Sequence, residues 1–342
     1  MPKLRRFVDP YLLLLTGTVV LAALFPARGV GASVADIAVT VAVALLFFLY
    51  GARLAPSAIW AGLAHWRLQS LVFASTFLLF PLIGLAVSAG AGALLPDDMV
   101  TGLLFLSLLP STVQSSIAFT SIAGGNVPAA LCSASVSNLV GVVLTPLLVA
   151  LLIPTAGSGF ALSSIEDIGL QILLPFVVGQ AMRPLIGAWL LRHKTLTSYV
   201  DRGSILFVVY AAFSAGMVAG VWTEVSLGDL TAIILLDTLM LAVVIAATTL
   251  LSRRLGFSTP DEIAIVFCGS KKSMASGIPM ATILFPASAV SLTVLPLMIF
   301  HQIQLFVCAT LARRYAERAA ARTRAVEGAG EAAEVAAARA PN

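Results

Sequence analysis

GSKKSMASG, residues 269–277, interrupts an otherwise apolar stretch with two lysines, three serines and a glycine at each end. Lys271 and Lys272 fall about twelve residues into that stretch, where an ammonium is costly unless paired, facing a wet cavity, or functional. A second polar break, PSTVQSS (110–116), sits in the matching place of the first half. Two such breaks in corresponding halves point to a substrate site where two discontinuous helices meet.

Working outward, the composition sets the solvent. Hydrophobic residues make up 59% of the chain and charged residues 11%. Soluble domains carry about 25% charged residues, so this chain expects lipid. Apolar runs of membrane-crossing length are read at about 10–26, 34–51, 68–93, 100–123, 127–153, 167–191, 199–222, 229–252, 260–285 and 288–312. The expected fold class is therefore an all-α membrane protein of ten transmembrane helices. Continuous runs such as LLLLTGTVVLAALF exclude the alternating pattern of a barrel.

Lys and Arg placement sets the orientation. With the N-terminus inside, the inner segments hold Lys3, Arg5, Arg6, Arg53, Arg67, Arg183, Arg192, Lys194, Arg202, Arg253 and Arg254. The outer loops hold Arg28 and the acids Asp97, Asp98, Glu166 and Glu224. This places both termini in the cytoplasm, in an inner (plasma) membrane, and assigns the net charge of +4 to the lipid surface rather than to nucleic acid. The basic, apolar start is read as a retained first span, because Asp9-Pro10 interrupts it and no clean cleavage site follows. Cys132, Cys268 and Cys308 lie inside spans without ligand spacing and read as packing residues.

The two halves superimpose by pattern. Each puts its break in the fourth span, follows it with a short turn (GGNVP, then FPAS), and carries a proline in the fifth, Pro146 and Pro296. Five is odd, so the second half enters from the opposite side, as in an inverted repeat. The expected domains are residues 1–153, residues 154–315, and a cytoplasmic tail, 316–342, disordered from 326. Pro110 should stop its helix for want of an N–H, and Gly269 and Gly277 allow the second segment to unwind. Thr112, Gln114, Ser115, Ser116, Ser270, Ser273 and Ser276 would then present polar groups beside open carbonyls, with Ser137 and Asn138 opposite.

The stretches LLPSTVQSSIAFTSIAGGNVPAALCSASVSNLVGVVLTPLL (108–148) and FCGSKKSMASGIPMATILFP (267–286) resemble the bile-acid:sodium symporter superfamily. The likeness is to its symporter-like branch, which includes the seventh vertebrate member of the bile-acid carriers. It implies ten helices in two inverted repeats, a panel domain (roughly spans 1, 2, 6 and 7), and a core whose spans 4 and 9 unwind and cross. It also implies ions and substrate near that crossing. Sodium-coupled members carry a glutamate where Ser270 aligns, a Ser-Asn pair at Ser116 and Ile117, and a glutamine at Thr76. Two further sodium-binding hydroxyls align with Ala130 and Ala134. Sodium near Ser116, Ser270 and Thr76 thus lacks its carboxylate, while two cations have arrived beside it.

For those cations the sequence leaves two readings. One ammonium faces the cavity, as Lys271 or Lys272, and attracts a carboxylate or sulfate. Alternatively a lysine pairs with Asp237, the acid deep in span 8, at a depth within about 6 Å of Lys272 on helical rise. Such a pair would suit proton coupling. No HExxH, paired intramembrane aspartates or phosphate loop appears, so enzyme chemistry is not expected. The expectation is a secondary transporter of a small or amphipathic organic anion working by alternating access. The alternative is a non-transporting regulator that retains the carrier fold.

Overall fold

The computed structural model describes residues 10–53, 65–153 and 169–338. Lys3, Arg5, Arg6 and Glu166, used above for orientation, lie outside the described residues, as do the last four of the tail. Twelve helical elements follow in order: α1 (Pro10–Leu24), α2 (Val30–Arg53), α3 (Trp66–Ala91), α4 (Asp97–Leu108), α5 (Gln114–Ile122) and α6 (Val127–Leu152). After them come α7 (Leu174–Arg192), α8 (Lys194–Ala219), α9 (Leu227–Arg254), α10 (Thr259–Gly269), α11 (Met274–Leu284) and α12 (Ala287–Ala338). No strand occurs among the described residues.

Among the described residues, seven helices are long and apolar enough to cross a membrane; α1 is a shorter apolar one. Leucines such as Leu185, Leu227 and Leu235 stay exposed on them, the pattern of helices whose outer face meets lipid. Inside, aromatic edges meet faces: Phe80 on Phe300 at 6.0 Å and Phe105 on Phe285 at 5.1 Å.

The backbones of α2 and α7 approach closely. A Cβ on Gly51 would strike the Phe176 carbonyl, and one on Gly179 would strike that of Phe48. Small residues at both crossing points let the two backbones touch, which is how membrane helices gain dispersion energy without a hydrophobic drive.

The two breaks fall between α4 and α5 and between α10 and α11. Pro110 cannot supply the N–H that would continue α4. Leu109 turns extended, and its N–H reaches back only to the Leu106 carbonyl at 3.4 Å. Helix resumes at Gln114, so Gln114, Ser115 and Ser116 belong to a first turn rather than to unwound chain. The second break is shorter: Ser270 ends α10, and Ser273 caps α11 through the Ser276 N–H. The GGNVP turn is also fastened: Asn126 caps α6 and its amide donates to Asp261 of α10 at 2.7 Å.

α12 runs on to Ala338, through a segment rich in alanine, arginine and glutamate, all strong helix formers.

Candidate functional site

The breaks lie against each other, tied by side chains that collect each other's open backbone groups. Ser111 Oγ donates to the Cys268 carbonyl at 2.6 Å, and Ser116 Oγ to that of Phe267 at 3.0 Å. The Ser273 N–H donates to the Pro110 carbonyl at 2.8 Å. From α6, Ser137 Oγ accepts the Ser111 N–H, Asn138 Nδ2 donates to the Ser111 carbonyl, and Thr145 Oγ1 donates to that of Leu108. From α12, the Gln304 amide makes two bonds to Lys272, accepting its N–H at 2.9 Å and donating to its carbonyl at 3.0 Å. Buried peptide groups left open cost about 1–3 kcal/mol each, so these side chains are what allow an interruption here.

A cavity of about 400 Å³ opens beside this junction. It is lined by Thr112, Gln114, Ser115, Asn138, Ser273 and Ser276, with His301 of α12. The lining also includes Tyr50 and Arg53 of α2, Phe176 of α7, and Asp201 and Arg202 of α8. Phe47, Leu139, Val142, Ile205 and Leu305 give the wall an apolar share. Asn138 Oδ1 accepts from Ser276 Oγ at 2.9 Å, joining α6 to α11 at the wall. Tyr50 Oη, at 3.4 Å from the Ala275 carbonyl, reaches across from α2.

Six expected site residues therefore line one space. Ser116, Ser137 and Ser270 are instead buried in the scaffold; Ser270 Oγ donates to its own helix at Val266.

The lysines correct the cavity-facing expectation. Both are 0% exposed and neither lines the cavity. Lys271 Nζ stands 4.1 Å from the Phe119 ring centre and 5.4 Å from that of Phe267, with no hydrogen-bond partner. Lys272 Nζ donates to the carbonyls of Thr76, Ser107 and Leu109 at 2.8, 2.7 and 2.7 Å, beneath the Phe80 ring at 4.2 Å. The pairing with Asp237 is likewise absent. That carboxyl is fully buried with neither oxygen hydrogen-bonded, and Lys272 is saturated elsewhere.

The sodium expectation does not fit these residues. Thr76 Oγ1, Ser270 Oγ and Ser116 Oγ donate to the carbonyls of Val72, Val266 and Phe267, and the three offer neutral hydroxyl oxygens with no carboxylate among them. The carbonyl cluster at the junction is filled by an ammonium. No group of three or more His, Cys, Asp or Glu residues comes together as a metal site among the described residues.

The cations that do reach the cavity are ones the sequence assigned to the membrane surface. Arg53 forks onto Asp201 with two bonds of 2.7 Å, the side chains 26% and 17% exposed. An arginine in the last turn of a span looks like any interfacial anchor. Only its partner on α8, far along the chain, marks it as a wall residue.

Residues 9–317 match the SBF-like CPA transporter family. The chain belongs to that family. It is an integral, multi-pass membrane protein. It is 54% identical over 319 residues to an uncharacterized protein of Pseudomonas aeruginosa, covering 93% of this chain and 96% of that one. It is 52% identical over 313 residues to YfeH of Escherichia coli K12, which carries a symporter name, covering 92% and 94%. Sodium/bile acid cotransporter 7 of Danio rerio is 28% identical over 274 residues, 79% of this chain and 82% of that one.

Proposed function

We propose that the protein is a secondary transporter of a small, amphipathic organic anion. One observation carries the reading: a cavity of about 400 Å³ bounded by both helix breaks and by Arg53 and Arg202. That size falls within the range of small-molecule sites. Its lining is divided between guanidinium groups and hydroxyls and the apolar Phe47, Val142, Phe176 and Leu305, a mixture that suits an amphipathic anion. The bile-acid name of the zebrafish relative agrees with that division.

In this reading α4 with α5 and α10 with α11 form spans 4 and 9 of ten, arranged as two inverted repeats of five. Both termini lie in the cytoplasm, in the inner membrane of the cell. Alternating access moves α1, α2, α7 and α8 against the remaining helices, so that the cavity faces each side in turn. Arg53 and Asp201 sit near the helix ends assigned to the cytoplasm, and their partial exposure suits an inward mouth. The anion's charge is met by Arg53 and Arg202 rather than by the lysines, while Gln114, Ser273 and Ser276 bond its polar groups. The sodium step is left out of the cycle.

A non-transporting regulator that keeps the carrier fold is the second reading, favoured by the lysine standing among carbonyls at the junction. Purified protein in liposomes separates the two. Uptake of labelled amphipathic carboxylates and sulfonates above the empty-vesicle level, reduced in Gln114→Ala, is the expected result. No uptake of any of them, in either orientation of the gradient, removes the transporter reading.

A further inference from the structure

The environment of Lys272 Nζ has the makeup of a cation-binding site. Three carbonyl oxygens at 2.7–2.8 Å converge on one point, and an aromatic face closes the fourth side at 4.2 Å. Backbone carbonyls converging on a cation replace its hydration shell in selectivity filters, and a ring face adds cation–π attraction. Donating to three acceptors at once takes all three hydrogens of an ammonium.

Each carbonyl is open for a reason in the sequence. Phe80 donates its N–H to the Ser75 carbonyl across a π-helical turn, Ser75–Leu79. In that register the Thr76 carbonyl should receive the next N–H, and the next residue is Pro81, which has none. Ser107 and Leu109 lie at the end of α4, where Pro110 stops the helix, and the Ser111 N–H that would serve Ser107 goes to Ser137. Two prolines on two helices thus leave three acceptors pointing at one place. The fourth wall, Phe80, adjoins one of those prolines.

We propose that the Lys272 ammonium is a covalently tethered occupant of a monovalent-cation site at the junction of the two breaks, so that no alkali ion is needed there. Without the lysine, the same oxygens form a site for a primary alkylammonium. They are spaced for N–H···O bonds and so fit ammonium or potassium better than the smaller sodium ion.

The test is chemical rescue of stability, which stands apart from whether the protein moves a solute. Wild type, Lys272→Ala, Lys272→Met and Lys272→Arg are heated in detergent in the chloride salts of choline, sodium, potassium, ammonium, methylammonium and n-propylammonium at equal ionic strength. Wild type is expected to unfold at the same midpoint in all six. Lys272→Ala should unfold several degrees lower in choline and recover saturably in the order propylammonium, methylammonium, ammonium, with sodium weakest. Lys272→Met keeps the stem without the charge and should be low and unrescued; Lys272→Arg should keep part of the loss-free stability without responding to amines.

If Lys272→Ala is not recovered from detergent, the same salts are compared in isolated membranes by following loss of folded protein on heating. Absence of propylammonium protection in either setting overturns the proposal. So does Lys272→Met matching wild type, or wild type gaining stability from sodium or potassium over choline.

Discussion

Gln304→Leu probes the price of an interrupted helix most directly, because one amide supplies both partners that Lys272 lacks. Its Oε1 accepts the Lys272 N–H and its Nε2 donates to the Lys272 carbonyl, all fully buried. Leucine fills similar volume but leaves two peptide groups open, at about 1–3 kcal/mol each. Its extra apolar burial returns about 1 kcal/mol, so a net loss of about 1–5 kcal/mol is expected. At roughly 2 °C per kcal/mol for a chain of this size, the unfolding midpoint should fall by about 2–10 °C. Cys132, Cys268 and Cys308 are all buried, so a thiol-reactive fluorogenic dye reports unfolding without any added label. Gln302→Leu, on a half-buried neighbour outside this pair of bonds, serves as the control. A midpoint for Gln304→Leu equal to that of the control would refute the reasoning, since the break would then not depend on the amide.

Two further outcomes follow from the geometry. Arg53→Gln should raise the apparent KM for anion uptake at least about tenfold, since a charge-assisted forked contact is worth more than the 1.4 kcal/mol that a tenfold change represents, whereas Asp201→Asn should lower it by freeing Arg53 from its competitor. Equal uptake by both variants in liposomes would remove Arg53 from substrate recognition. Ser111→Val strands the Cys268 carbonyl and should cost about 1–3 kcal/mol, read as a lower midpoint in the same thiol assay; an unchanged value would mean that the tie between the breaks carries no weight.

The interruptions were legible because proline and glycine act through the backbone at their own positions. Pro110 and Gly269 stand at the helix ends that they were expected to make. Where each helix resumes was less legible: Gln114 begins α5 because Ser137, Asn138 and Thr145 of another helix collect the open groups just before it. The lysines show the larger limit. Hydropathy gives the depth of a side chain but not its direction. The partners of Lys272 are backbone oxygens 163 to 196 residues away in sequence, and every residue type carries such an oxygen. Asp237 was the visible candidate because it is a charged letter; the three carbonyls had no letter. Arg53 was hidden in the opposite way, as one basic residue among several at span ends, all equally suited to the lipid surface.

The contact of Gly51 with Phe176 and of Gly179 with Phe48 has a mechanical consequence. Two rods whose main chains interlock at two points, each notch receiving the other's carbonyl, can neither slide lengthwise nor roll past one another. In the proposed cycle this couple would therefore move as one, and the displacement would be taken up at a looser seam, where longer side chains such as Tyr50 and Arg53 span the gap and can let go.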